Sequence, residues 1–255
     1  MSRVTSAKPD RKTRHLWWAL VVSELRVFLR QPVMIALSLL VPAGLLAITA
    51  IGERTNIPEV WASIAGRNTA AVLCISVYFV SLNTITARRH TLALKRLRTT
   101  ALPDTGIVTG LLVPPIVVGL FQFAVSQGGL VALGAPLPGD PLLVLTAGVS
   151  GILVAALAGV VTSAVTANPE KAQWTMLPLF VATLGAASVL PTVTDPAVNL
   201  ALRAVPLVAN ADWTTAAWLA EGDVARLAAD AGIVVIWLVV LSLLSRRTFR
   251  WERRR

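Results

Sequence analysis

The chain has 255 residues, of which 55% are hydrophobic and only 14% charged, and its mean hydropathy is +0.71. So little polar surface cannot cover a water-soluble globule, which excludes an ordinary soluble enzyme. The balance of 23 basic against 13 acidic residues gives a net charge of +10, but the basic residues gather in short clusters between long apolar runs, the pattern of spanning helices joined by loops and not of a nucleic-acid-binding face.

In chain order, residues 1–14 form a basic tail, and residues 15–31 are predicted to form an amphipathic helix at the inner membrane interface. Ser23, Arg26 and Arg30 share one helical face beside Glu24, while Trp18, Val21, Val22, Leu25, Phe28 and Leu29 cover much of the rest. Trp17 and Trp18 suit the headgroup level. The plainer alternative is a polybasic anchor with no mechanical role. Pro32 breaks the helix before the first span.

A span needs roughly 20 apolar residues, and six segments are predicted at about 33–51, 68–87, 107–133, 142–166, 173–190 and 228–245. The first is too long and too closely preceded by charge for a cleavable signal peptide. Pro114 and Pro115 predict a kink in the third. Before the sixth, Ala197–Ala204 and Trp213–Leu219 read as two short amphipathic helices dipping into the outer leaflet, an ordinary outer loop being the alternative. The sixth span reaches full length only if Leu227–Asp230 continue its helix, with Asp230 at the outer interface. Residues 246–255 are a second basic tail. Lys and Arg favour the cytoplasmic side. Nineteen of them fall on the side of the two tails, the 88–98 loop and Lys171, against Arg54, Arg67, Arg203 and Arg226 opposite, which predicts both termini in the cytoplasm and a plasma-membrane location.

The apolar cores of the six spans, the last taken as Ala231–Leu244, contain no Asp, Glu, Lys, Arg or His. A proton-coupled carrier would have nothing there to titrate, and a membrane-embedded hydrolase or metalloenzyme would lack its carboxylates and ligands. Sodium coupling through backbone carbonyls stays open. His15 and His90 have no metal-ligand partners, and the lone Cys74 can form no internal disulfide. No phosphate-binding loop is present, so the sequence predicts no catalytic residue, bound cofactor or metal in this chain. Uphill transport would then draw its energy through contact with another protein on the cytoplasmic side. The largest inner loop, Arg88–Asp104, can form a short helix over Leu92–Leu102 with Leu94, Leu97 and Ala101 on one face and Lys95 and Arg98 on another. Such a helix could dock its apolar side into a soluble partner; a solvated loop is the alternative.

Two stretches carry a resemblance. Ser23-Glu24-Leu25-Arg26-Val27-Phe28-Leu29-Arg30-Gln31-Pro32 resembles the interfacial helix of the membrane subunits of type 2 ATP-binding cassette (ABC) exporters, and Leu94-Lys95-Arg96-Leu97-Arg98-Thr99-Thr100-Ala101-Leu102-Pro103 resembles their cytoplasmic coupling helix. The chain departs from the family where Arg88, Arg89, His90 and Thr91 replace an acidic residue and Gly, and where Ala101 replaces the common Pro. The resemblance implies an all-α integral membrane protein of six transmembrane helices with the permease fold of that family, its outer segment forming re-entrant helices. It implies a pair of permease subunits, of the same or a related chain, surrounded by membrane lipid and bound to separate ATPase subunits that hold ATP and magnesium. Leu94, Lys95, Arg96, Leu97 and Arg98 would contact the ATPase, and Glu24, Arg26 and Arg30 would belong to the interfacial helix. The cargo path would be sought along spans one, two and five, with Ser38, Ser76, Ser81, Asn83, Thr84, Thr175 and Thr183 as candidate lining. An uncharged interior favours a hydrophobic or amphiphilic cargo, such as a drug-like metabolite or a lipid. The competing readings are a secondary carrier or channel outside the ABC class, and a structural membrane protein.

Overall fold

The computed structural model describes residues 11–30, 32–52, 57–219 and 224–249; the side chains of residues 11, 12, 33–35, 37 and 38 lie outside that description. Gln31, Arg54 and the outermost parts of both basic tails, on which the sequence reading also drew, fall outside it as well.

Helices account for every regular element among the described residues: α1 (Arg11–Leu29), α2 (Pro32–Gly52), α3 (Pro58–Val72), α4 (Phe79–His90), α5 (Ala93–Leu97), α6 (Asp104–Ala132), α7 (Pro141–Ser163), α8 (Pro169–Val189), α9 (Pro196–Arg203), α10 (Val208–Leu219) and α11 (Val224–Thr248). A π-helical turn, Leu73–Tyr78, fuses α3 to α4, and Phe79 N–H bonds there to the carbonyl of Cys74. Among the described residues, five continuous helices are long and apolar enough to cross a membrane: Pro58–His90, Asp104–Ala132, Pro141–Ser163, Pro169–Thr192 and Val224–Thr248. The protein is thus all-α and a multi-pass membrane protein. The 21-residue α2 contains a shorter apolar stretch, Leu39–Gly52.

Helix starts follow a repeated local rule. Asp140, Asn168 and Asp195 each stand just before a proline, and each accepts backbone N–H bonds from the first turn: Asp140 from Leu143 at 2.9 Å, Asn168 from Lys171 at 2.9 Å, Asp195 from Ala197 and Val198, both at 2.9 Å. The carboxylate or amide satisfies donors that have no intrahelical partner, and the proline loses nothing at a position where its missing N–H is not needed.

The second span departs most from the hydropathy reading. Its helix begins at Pro58, ten residues before the apolar run, and carries Arg67 on an exposed position. Thirty-three residues rise about 50 Å at 1.5 Å each, well beyond a hydrocarbon core of about 30 Å. The charged first turns therefore project past the apolar layer as a helical extension. α6 runs as one helix through Pro114 and Pro115, both buried.

α7 is the hub, packed against α4, α6, α10 and α11. Ala147, Gly151, Ala155 and Gly159 recur every fourth residue along its buried face, the spacing that lets helix backbones approach in a bilayer. A Cβ on Gly159 would stand 2.8 Å from the backbone of Tyr78 and of Leu82, so α4 and α7 touch there main chain to main chain. α8 and α11 are peripheral. Val235, Ile236, Val239, Leu243 and Leu244 of α11 are exposed, an apolar surface far too continuous for water and suited to lipid.

The bundle has two chemically distinct ends. One gathers α1, the end of α4, α5, the start of α6 and the end of α11, with Arg26, Arg30, Arg88, Arg89, Lys95, Arg96, Arg98, Arg246 and Arg247. The other gathers α9, α10, the first turns of α3 and α11, and the α6–α7 connection.

Candidate functional site

At the basic end, α1 lies along α6, its Leu20 seated on Gly110 and its Trp17 indole donating to Thr109 Oγ1 at 3.2 Å. This packing turns Glu24 inward to α4, where Glu24 Oε2 accepts from Arg88 Nη2 at 2.6 Å and Nε at 3.2 Å. Arg26 and Arg30 stay exposed. The next arginine, Arg89, is buried and donates to the carbonyl of Thr166 at the end of α7. Adjacent arginines thus fasten α4 to two different neighbours.

Between α1, α4 and α6 lies a cavity of about 270 Å3, walled by Glu24, Arg88, Asn83, Thr84 and Thr91 together with the apolar Val27, Phe28, Val80, Ala87 and Pro114. Of the residues singled out in the sequence, the structure brings Glu24, Asn83 and Thr84 together here.

The short helix α5 follows a sharp reversal at Leu92, whose φ of 59° is left-handed. That conformation costs a leucine about 1–2 kcal/mol, and it turns the next residues back onto the bundle. Leu94 becomes fully buried in the main core cluster and Leu97 packs against it, while Lys95, Arg96 and Arg98 are exposed. Two corrections follow. The helix covers Ala93–Leu97 and not Leu92–Leu102, because Thr99 and Thr100 turn their hydroxyls onto the carbonyls of Arg96 and Leu97, at 2.7 and 2.6 Å, and end it. Its apolar face is also not offered to a soluble partner: Leu94 belongs to this chain's own core and Ala101 is exposed on the following turn. What α5 presents outward is basic.

The other candidate lining residues divide differently. Ser76, in the π-helical turn, bonds the Gln122 amide; Thr175 bonds Thr166 at 2.9 Å; Thr183 donates to the Pro206 carbonyl at 2.9 Å. Ser81 is buried against Gly159 with no hydrogen-bond partner among the described residues. These four sit in helix contacts within the chain, and none of them borders the cavity beside Asn83. The side chain of Ser38 lies outside the described residues.

A second polar cluster lies at the opposite end. Arg203 of α9 bonds Asp230 of α11, Nη2 to Oδ1 at 2.6 Å, and Asp212 of α10, Nε to Oδ2 at 3.2 Å. Arg226 also bonds Asp212, with Nε to Oδ2 at 3.0 Å. Asp230 has no solvent exposure and its Oδ2 has no partner among the described residues. The apolar cores drawn in the sequence were free of charge; the spanning helix α11 in fact starts at Val224 and includes Asp230 seven residues in. The signal was present in Arg203, Asp212, Arg226 and Asp230, which stand with Glu221 and Asp223 among the charged residues before the last span, but their pairing needed the three helices to be placed. A further amide network joins Gln127 to Trp218 Nε1 at 2.9 Å and to Thr69 at 3.2 Å. Gln127, an amide within a long apolar run, was its visible trace, as Gln122 was of the bond to Ser76.

No family model matches the chain, and no curated protein matches it significantly. Among the described residues no cluster of His, Cys, Asp and Glu suits a metal ion.

Proposed function

We infer that the chain is the membrane-spanning permease subunit of a type 2 ABC exporter, which moves a hydrophobic or amphiphilic cargo with energy from a separate ATPase subunit. The observation that carries this reading is α5: a helix clamped to the membrane bundle through Leu94 on one side while Lys95, Arg96 and Arg98 face outward on the other. A lever that passes on a push from a soluble partner needs that division, rigid attachment inside and a charged contact surface outside. The sequence Leu94-Lys95-Arg96-Leu97-Arg98 is the part that resembles the coupling helix of such exporters.

In this account α2 supplies the sixth span, and the basic end faces the cytoplasm because positive loops are retained there. Two permease subunits pair above two ATPases. ATP binds and is hydrolysed with magnesium on the ATPases, and their closure displaces α5 and α1 and shifts the spans those helices touch. Transport outward is part of the resemblance. Between the two polar ends of the bundle the core is apolar, which supports the cargo class, since a highly charged cargo would need compensating charge along its path.

The test is to express the tagged chain in its host and purify it in detergent. An ATPase subunit is expected to accompany it, and the combined variant Lys95→Glu, Arg96→Glu, Arg98→Glu is expected to insert normally but lose that ATPase. Retained association and transport in the variant would overturn the assignment of α5. A second reading, a gradient-driven carrier, draws on the buried Asp230; gradient-driven flux by the purified chain alone would favour it.

A further inference from the structure

We propose that the cavity between α1 and α4 is a binding site for the headgroup of a zwitterionic, net-neutral amphiphile, one bearing an amine cation and a phosphate or carboxylate anion, and that cargo first meets the chain there. The role in cargo capture rests on the exporter reading; the binding chemistry does not.

Size comes first. A volume of about 270 Å3 corresponds to roughly nine water molecules at about 30 Å3 each, slightly under the range of about 300–1,000 Å3 for sites that engulf a drug-sized ligand. The cavity suits a headgroup whose tails stay in the membrane, and Val27, Phe28, Val80 and Pro114 offer an apolar wall to the first methylenes.

Charge narrows the class. The wall carries one carboxylate and one guanidinium, paired through Glu24 Oε2 and the Nε and Nη2 of Arg88. Glu24 Oε1 and Arg88 Nη1 take no part in that contact, so an acceptor for an amine and donors for an anion stand side by side. A headgroup with net charge would leave one charge without an opposite partner beside side chains only 10% (Glu24) and 26% (Arg88) exposed, which is costly. A zwitterion gives each wall charge a second opposite partner and leaves the sum at zero.

The neutral polar groups point the same way. Thr49, Thr69, Thr91 and Thr109 each bond a carbonyl one turn back in their own helix, the usual way a hydroxyl satisfies itself in an apolar helix. Thr84 does not, and neither it nor the Asn83 amide makes a side-chain hydrogen bond with any described residue. Both side chains are half-buried and open to the cavity, so their polar groups stand ready for a ligand that enters it.

The experiment uses the purified full-length chain in maltoside micelles without any ATPase. A photoreactive lysophosphatidylethanolamine is crosslinked to it, beside a lysophosphatidylglycerol and a primary alkylammonium probe of equal chain length, and the labelled peptides are mapped by mass spectrometry. Saturable labelling of α1 and α4 by the zwitterionic probe alone is expected. Asn83→Leu should weaken it about tenfold, the effect of about 1.4 kcal/mol, whereas Asn83→Gln should keep most of it. Thr84→Val gives the same readout should Asn83→Leu not elute as a single peak. Equal labelling by all three probes, labelling spread over every helix, or undiminished labelling of the well-folded variants would overturn the proposal. With no ATPase in the assay, a failed label leaves the exporter reading standing, and a missing ATPase leaves the site standing.

Discussion

A carboxylate on a membrane helix is stable only where a cation meets it, and Asp230 is met by Arg203 from a different helix. Arg203 is shared with Asp212, which also holds Arg226, so two cations and two anions close on one another at one end of the bundle. Removing one partner of such a buried pair costs roughly 3–5 kcal/mol, while replacing both by apolar side chains is far milder. Arg203→Met should therefore lower stability by about 3 kcal/mol, read as the thermal midpoint in detergent. Adding Asp230→Leu should restore at least half of that loss, since Asp212 keeps Arg226; no recovery in the double variant would mean the cluster acts otherwise. Single residues were the least legible part of the sequence. Arg203, Asp212, Arg226 and Asp230 lie up to 27 positions apart, and only the docking of α9, α10 and α11 shows that they neutralise one another. Asn83 and Ser76 look alike in a hydropathy plot, yet one faces a cavity and the other bonds Gln122.

Elements were far more readable, because their signals are local. Proline preceded by Asp or Asn marks the starts of α7, α8 and α9, and the first short helix before the last span falls within a residue of its expected place, as α9, whereas the second, expected over Trp213–Leu219, begins at Val208 and is mostly buried, as α10. The π-helical turn at Leu73–Tyr78 had no such signal, and the ten-residue extension below the second span was hidden because a charged helical turn scores as a loop by hydropathy. Contacts between elements give two predictions. Gly159→Leu would drive a side chain into the backbones of Tyr78 and Leu82; overpacking of this kind costs typically 1–3 kcal/mol, and here, with main chain as the obstacle, about 3 kcal/mol or misassembly is expected, scored as loss of monodisperse protein. Leu94→Ala should destabilise the chain by about 2–3 kcal/mol through its cavity. Reversing the exposed charges of α5 should leave the thermal midpoint within about 0.5 kcal/mol, as surface substitutions do. The exposed ion pair of Arg98 with Asp104, at 3.5 Å, would not change that result. Equal destabilisation by the two changes would contradict the division of α5 into an anchoring and a contacting face.

For the whole molecule, hydropathy and charge were enough to predict a multi-pass helical protein, while partner and cargo depend on surfaces that the spans only support. The chain's one cysteine, Cys74, is buried, so single cysteines can be placed on a nearly silent background. A cysteine at Arg96 should resist an impermeant thiol reagent in intact cells and react after lysis, and one at Asn199 should react in intact cells; the opposite pattern would invert the topology and remove α5 from the side where ATP is found. The central claim is that this bundle moves cargo only when a nucleotide-hydrolysing companion works on its basic end. Its most direct test is flux of an amphiphilic probe in proteoliposomes holding the chain with and without its co-purified ATPase. Directional, ATP-dependent flux with the companion and none without it is the predicted result; uphill flux by the chain alone, driven by an ion gradient, would contradict it.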